Sequence, residues 1–525
     1  MELTHLLDRE RLDQLEFGVA LCGAGLLLVE LLLHRLGRPL VAKRLRDGLL
    51  AGAGLVAALC WWDFFLFQHE RDIPALRWVS FTDSFHYYAG PKYFRELGYV
   101  HLYECAALAE QQLGAGAVVA QRTYRDLATN EFVTGRQLLA AARSCPERFS
   151  PERWQLFVHD VDWFRRRVPS WETTMQDWGY NATPAWNTLG AWLAGGGPVS
   201  EGRLAWLTLL DVPLLLATWA LAAWAFGWRT LCVALIFWGT HLPNAYLWTG
   251  GSILRQEWLF ASVAGVCLLR RGKPLGAGAA LAYAASLSIF PGFLAAGIGA
   301  RAVARWASER RVTLTAEERR LLLGAVLAFA IVLPAAALRG GDASAWRAFV
   351  ANSRADSQPS PNNMGLPTLL SYEAGTRLRL LQLGEPKPVE VWSETRRETL
   401  ARRAPVWAAL VAGWLVLAAG AVRRQPAWVA ALVGLGCVVF AFQLSCYYYA
   451  FMLLFGLLWP RHRSIGIALC GLAAASHWIG ARWPDEEEQY MLLSLLAVLL
   501  VAWVTVVLRF APEAEPRLPA PRALA

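Results

Sequence analysis

An all-α polytopic membrane protein is the fold class this sequence predicts, and three observations carry it. Apolar residues make up 56 % of the 525 residues and charged residues only 17 %, an excess that a water-soluble core of this size does not need. The apolar residues fall into runs about 20 residues long, the length that crosses a bilayer. Between the runs, Arg and Lys gather in short clusters, as they do in cytoplasmic loops. Those clusters account for the net charge of +9. They form no single stripe interleaved with aromatics, so nucleic acid is not an expected partner.

Taken in order, the runs lie near 17–34, 48–67, 204–226, 229–249, 252–269, 321–338, 406–422, 427–445, 447–459, 464–481 and 490–508. Many of the 26 tryptophans flank them, among them Trp61, Trp62, Trp228, Trp248, Trp459 and Trp483, as an interfacial belt requires. A further stretch, 275–300, is interrupted by Phe290-Pro291-Gly292 and is basic on both flanks, with Arg270, Arg271 and Lys273 before it and Arg301 and Arg305 after. Two half-helices meeting at the proline would return the chain to the side it left, a break tolerated where it lines a protein-enclosed cavity. The expected bundle has about 11–13 transmembrane segments. Thr315-Ala-Glu-Glu318 reads as a capping box opening the run near 321.

Orientation follows from the charges. Arg35/Arg38/Lys43/Arg44/Arg46, Arg229, Arg270/Arg271/Lys273, Arg301–Arg320, Arg423/Arg424 and Arg461/Arg463 all fall on one side if each run crosses once and the broken stretch twice. The acidic stretch Asp485-Glu486-Glu487-Glu488 falls on the other. The chain then divides into 1–67, two helices and a basic cytoplasmic turn; 68–203, a large non-cytoplasmic loop; and 204–339, spans that include the broken helix. A second non-cytoplasmic loop, 340–404, the C-terminal spans, 405–510, and a Pro-rich cytoplasmic tail, 511–525, complete it. The expected location is the plasma (inner) membrane, with a non-cytoplasmic active face. The charged residues Asp8 to Asp13 precede a first run without a small-residue cleavage site, which argues against a cleaved signal peptide.

The first outer loop is far longer than an ordinary connection, and its stretches 104–120 and 151–167 suit helices lying on a membrane surface. The second holds Asn352, Arg354, Asn362, Asn363 and Gly365. Most of the nine cysteines sit in apolar runs as packing residues; Cys105 and Cys145 share the large loop, and whether they meet in a disulfide is open at this point. No CxxC pair and no HExxH occur, so metal-site spacing is absent; no cofactor is expected, and a divalent-metal requirement is open at this point.

Four polar clusters carry the chemistry. The first, Asp83 to Tyr103, brings a carboxylate, imidazoles (His86, His101), an ammonium (Lys92) and several phenols (Tyr87, Tyr88, Tyr93, Tyr99) together beside a membrane boundary. Such aromatics stack on sugars, and a carboxylate accepts a proton from an attacking hydroxyl; taken singly, Asp83 is a helix cap and the aromatics are interfacial anchors. The second runs from Asp177 to Asn187, with Asn181 or Thr183 as a cap before Pro184. The third, Gly250-Gly251-Ser252-Ile-Leu-Arg255-Gln256-Glu257, opens a span; Arg255 there needs Glu257 or an anionic ligand as partner, and a helix N-terminus favours phosphate. The fourth is Ser445-Cys-Tyr447-Tyr448-Tyr449, which taken alone is a tyrosine belt.

In this order the clusters resemble polytopic glycosyltransferases of the GT-C fold, most nearly glycosyltransferase family 87, the polyprenol-phosphate-mannose-dependent enzymes. Asp83, Tyr87 or Tyr88, Gly98 and Leu102-Tyr103 follow the family's order of Asp, Tyr, Gly and Leu-Tyr in the first outer loop. Tyr180-Asn-Ala-Thr-Pro184 is similar to its Tyr-x-x-Pro segment, and Asn362-Asn363-Met-Gly365-Leu366 to its Asn-x-x-Gly-Leu. Arg270-Arg-Gly-Lys-Pro274 and Ser288-Ile-Phe-Pro291 echo the basic turn and the Lys-x-x-Pro, without the lysine, and Gly250 to Gln256 stands where the family has Gly-Gln-x-Asn. The resemblance implies a GT-C-like bundle and an inverting transfer of a sugar from a polyprenyl phosphate to an acceptor hydroxyl, with glycan or glycolipid acceptors and membrane lipid as partners. It implies Asp83 as the single general base. On the same resemblance Arg255, Lys92 and Arg354 are the candidate cations for the leaving phosphate, and His86, Tyr87, Tyr180, Asn181, Gln256 and Asn363 the candidates for holding the substrate.

Two other classes compete. A secondary transporter would place ionisable residues inside spans, and Glu30, Asp63 and Asp211 do lie there. A non-catalytic assembly protein of a cell-envelope glycan pathway would leave the clusters facing apart. Convergence of the clusters on one cavity separates the enzyme from both.

Overall fold

The computed structural model describes residues 8–37, 43–67, 76–338, 343–356 and 358–510. Arg38 and the Pro-rich tail 511–525, named above, lie outside the described residues. About 77 % of the chain is helical, and among the described residues strand is confined to two short ribbons. Helix α1 (Arg9–Arg35) starts at Asp8, whose side chain accepts from the Arg11 amide, and α2 (Lys43–Trp61) follows it. The outer loop then contributes α3 (Phe81–Lys92), α4 (Leu102–Glu110), the ribbon β1–β2 (Thr123–Arg125 with Phe132–Thr134), α5 (Pro151–Arg165) and α6 (Pro184–Ala194). Both α5 and α6 begin with proline behind a hydroxyl cap, Ser150 and Thr183. That is the arrangement in which proline's missing N–H costs nothing.

The bundle continues with α7 (Glu201–Phe226, bent after Thr208), α8 (Trp228–Thr240), α9 (Glu257–Arg270), α10 (Pro274–Leu287), α11 (Gly292–Glu309) and α12 (Ala316–Leu338). After α13 (Ala343–Asp356) come strand β3 (Asn363–Met364) and α14 (Pro388–Arg402). The chain ends in α15 (Ala404–Val422), α16 (Ala427–Ala441), strand β4 (Leu444–Ser445), α17 (Cys446–Gly456), α18 (Arg463–Arg482) and α19 (Glu486–Phe510).

Six of these helices, α1, α7, α12, α15, α18 and α19, are long and apolar enough to cross a membrane by length and composition. The chain is therefore an all-α polytopic membrane protein. Several other predicted spans are shorter or interrupted. The run 229–249 leaves α-helix at His241, ahead of Pro243, and continues as short turns. The run 447–459 begins as 3-10 helix. These pieces sit among the other helices, where neighbouring side chains satisfy a broken backbone.

The break at 288–291 turns the chain round as its basic flanks predict. Near their starts α10 and α12 touch backbone to backbone, Gly278 against Leu321 and Gly324 against Leu275, the small-residue packing that lets membrane helices approach closely. Their far ends lie together under α6, where Thr183 donates to the Ser286 carbonyl (2.7 Å) and Thr188 to that of Ala335 (3.4 Å). The two helices are thus parallel, and α11 makes the return between them. Thr315 and Glu318 cap α12 reciprocally.

The basic clusters also meet. Buried Glu30 of α1 is 2.6 Å from Arg229, 3.5 Å from Arg463 and 3.6 Å from Arg46. At the opposite end of the bundle Glu487 pairs with Arg396 of α14 and Glu488 with Arg377. The outer loop has a core of its own: Cys105, Ala106 and Ala109 of α4 pack with Phe157, Val161 and Phe164 of α5. The stretches predicted to lie on the membrane surface therefore spend their apolar faces on each other. Cys105 and Cys145 are joined, with Cα atoms 5.5 Å apart.

Candidate functional site

The loop meets the bundle through the turn 250–256. Glycine is required at Gly251: φ is +74°, and a Cβ there would lie 2.5 Å from the Trp78 carbonyl oxygen. The Gly251 carbonyl accepts from the Ser80 amide at 2.8 Å, which ties the turn to the start of α3. Asp211 of α7 holds the turn from below, its two oxygens accepting the Arg255 amide at 3.1 Å and the Gln256 amide at 3.0 Å. The helix predicted from Gly250 starts only at Glu257, because the amides that would begin it are committed to Asp211.

Held this way, Arg255 turns toward α3. Its Nη1 lies 3.4 Å from Asp83 Oδ1, and its Nη2 donates to the Trp248 carbonyl at 2.8 Å. The rings of Tyr87 and Tyr447 flank the guanidinium at 5.8 and 5.4 Å, within cation–π range. Its partner is Asp83 rather than Glu257, the neighbour suggested by spacing. Asp83 sits in the first turn of α3 and also accepts from Ser80 Oγ at 2.9 Å. It retains 26 % of its side-chain exposure.

Beside this pair lies a cavity of about 390 Å³, in the range of small-ligand sites. One part of its wall is polar: Tyr87, Asn181, Arg255, Gln256, Glu257 and Asn363. Another is apolar and aromatic, with Ile289, Phe290 and Phe293 from the break after α10 and Phe442 from the end of α16. Ile289 and Phe442 are exposed on the outer surface, so the apolar wall reaches a face that lipid would cover. Asn363 arrives through the β3–β4 ribbon, paired with Ser445, which joins the second outer loop to the tyrosine cluster at 447–449.

Four predicted residues lie elsewhere. Lys92 points away from the cavity to Asp160 (2.6 Å) and the Gly197 carbonyl (2.6 Å); burial pulls its ammonium down to about 8 against the upward pull of Asp160. His86 is buried against Tyr103 (2.8 Å), and burial holds its imidazole below its ordinary range. Tyr180 lies behind Tyr87, its ring edge-on at 5.8 Å and its hydroxyl donating to Asn187. Exposed Arg354 borders a separate surface hollow with Trp346 and Arg347; its neighbour one residue back, Ser353, reaches the cavity. The reason is helical: Asp83 and Tyr87 share one face of α3, while Tyr88 and Lys92, also four apart, share another.

The cavity is also lined by residues that the sequence had not placed among the substrate-holding candidates. Trp186 stands edge-on to Tyr87 at 5.0 Å, and Trp258 to Phe290 at 4.8 Å. Glu257 is 5 % exposed; it accepts from the Tyr283 hydroxyl, and its Oε2 has no hydrogen-bond partner among the described residues. The Pro291 break was the available signal for Phe290, but nothing in the spacing of Tyr283 relates it to Glu257. No protein-family profile, curated protein or solved structure matches this chain.

Proposed function

We propose that the protein is a membrane glycosyltransferase that moves a sugar, mannose in the nearest resemblance, from a polyprenyl phosphate to an acceptor hydroxyl at the non-cytoplasmic face. The observation that carries this reading is the Asp83–Arg255 pair (3.4 Å) beside a cavity with one polar and one lipid-facing aromatic wall. A polyprenyl phosphate has the same two-part chemistry, an anionic head and an apolar chain. In this reading Arg255 carries the phosphate and the chain lies along Ile289, Phe290 and Phe442. The acceptor oxygen attacks the anomeric carbon as the bond to the phosphate oxygen breaks. The phosphate leaves with the electron pair, stabilised by the guanidinium, and the acceptor proton passes to Asp83. One carboxylate serves such a displacement, with inversion. Glu257, Asn181, Gln256 and Asn363 offer hydrogen bonds to sugar hydroxyls.

The transporter reading loses its residues to internal partners: Glu30 ties three arginines, Asp63 faces Arg9 at 3.7 Å, and Asp211 holds the 250–256 turn. To test the transferase, the protein is reconstituted in nanodiscs and given polyprenyl-phosphate mannose with a glycolipid acceptor. Expected are an elongated acceptor and binding of the bare polyprenyl phosphate that Arg255→Met abolishes. Neither transfer nor Arg255-dependent binding would leave the scaffold reading in its place.

A further inference from the structure

A second cluster, none of whose members lines the cavity, sits where α1, α8 and α18 meet. Asp13 and Glu16, three apart on α1, face His477 of α18, and one donor atom from each lies within 4.8 Å of the others. The imidazole is 3 % exposed and the Glu16 carboxylate 4 %. His477 Nε2 lies 2.6 Å from the Thr240 carbonyl and 3.1 Å from Glu16 Oε2. Both are acceptors, so Nε2 bears a proton. Nδ1 then faces Asp13 Oδ1 at 3.9 Å and closes no hydrogen bond.

That distance is informative. It is too long for an N–H···O bond, and a bare nitrogen lone pair facing a carboxylate across it is repulsive. Two metal–ligand bonds of about 2.1 Å at a tetrahedral angle span about 3.4 Å, so the two atoms need close by only about 0.5 Å to share an ion. A ring N–H held by a backbone carbonyl is also how proteins fix the tautomer of a metal-binding histidine. We propose that a divalent cation of the zinc class binds between His477 Nδ1 and Asp13, with the Glu16 carboxylate, which now faces Nε2, turning to supply the third ligand. One imidazole with two carboxylates is a borderline nitrogen–oxygen set that suits zinc. Asp13 keeps 38 % side-chain exposure, leaving room for water as a fourth ligand. The ion would pin α1 to α18. Arg9 is its competitor: the guanidinium lies 3.0 Å from Asp13 Oδ1 and 3.7 Å from Asp63, and on metal binding it would keep Asp63 alone. The proposal is independent of the transferase reading.

The test uses the full chain in detergent, stripped with chelator and titrated with Zn²⁺ alone. Expected is one equivalent bound, at least tenfold weaker in His477→Gln and Glu16→Gln, and tighter in Arg9→Gln because a competing cation is gone. X-ray absorption of the zinc-loaded wild type should show one imidazole in a nitrogen–oxygen shell, a readout that does not depend on whether the variants fold. Equal uptake by wild type and His477→Gln, a shell without imidazole, or no uptake at all would each overturn the site.

Discussion

Helix α3 carries an ion pair near each end, and the two behave as opposites. At its C-terminal end Lys92 and Asp160 meet at 2.6 Å, both fully buried, with further bonds from Tyr93 to Asp160 (2.8 Å) and from Lys92 to the Gly197 carbonyl. At its N-terminal end Asp83 and Arg255 stand 3.4 Å apart, 26 % and 15 % exposed, beside a cavity. The first pair is saturated by its own protein and has nothing left for a ligand. The second is loose, joins the loop to the bundle, and presents a caged cation to open space. Burial and saturation, rather than residue type, separate a structural pair from a candidate site.

The largest expected effect breaks the loose pair. Asp83→Asn should slow transfer by roughly 10²–10⁴-fold, the usual share of a general base, while the thermal midpoint in nanodiscs stays near wild type; a large fall in midpoint would make Asp83 structural instead. Breaking the saturated pair should do the reverse. Lys92→Met leaves Asp160 buried without its cation, a loss of about 3–5 kcal/mol readable by chemical denaturation of the outer loop, and Lys92→Met with Asp160→Asn should recover much of it. This pair also sets a pH dependence. The folded Lys92 titrates at about 8, below its ordinary 10.5, so between those values the unfolded chain binds more protons. Its contribution to stability is complete above 10.5 and is lost as pH falls through 8. Loop stability should rise across that window in the wild type, and Lys92→Met should flatten the rise.

A smaller effect sharpens the comparison from the side of the turn. Gly251→Ala forces a Cβ to within 2.5 Å of the Trp78 carbonyl oxygen at φ +74°, strain of about 1–3 kcal/mol. Because the turn aims Arg255, binding of polyprenyl phosphate should weaken before global stability falls. Smallest of all, Arg354→Gln should leave both stability and transfer almost unchanged, within about 0.5 kcal/mol, since its side chain borders a different hollow.

Much of the bundle was legible in the sequence because bilayer thickness imposes a length and the charge bias imposes a side. Both act on composition alone, and so the spans at α1, α7, α12, α15, α18 and α19 fall where the apolar runs lie. The return at Pro291 was legible for the same reason, from basic residues on both flanks. The site was legible only in part. Asp83, Tyr87, Asn181, Arg255, Gln256 and Asn363 come together around or beside the cavity, whereas Lys92 and His86, in the same dense stretch as Asp83, turn into the loop's own core. A polar cluster in sequence lists groups without saying which face of the helix each will take, and partners such as Asp160 lie tens of residues away.

By itself the sequence determined that this chain is an all-α membrane protein with several helices long and apolar enough to cross a bilayer. Hydrophobic length and charge are sums over local residues, and they need no partner to act. Only the tertiary structure decided that Arg255 meets Asp83 rather than Glu257, that Cys105 meets Cys145, and that His477 meets Asp13 and Glu16 across the bundle. Each of those is a contact between distant segments, set by packing geometry that no local pattern encodes.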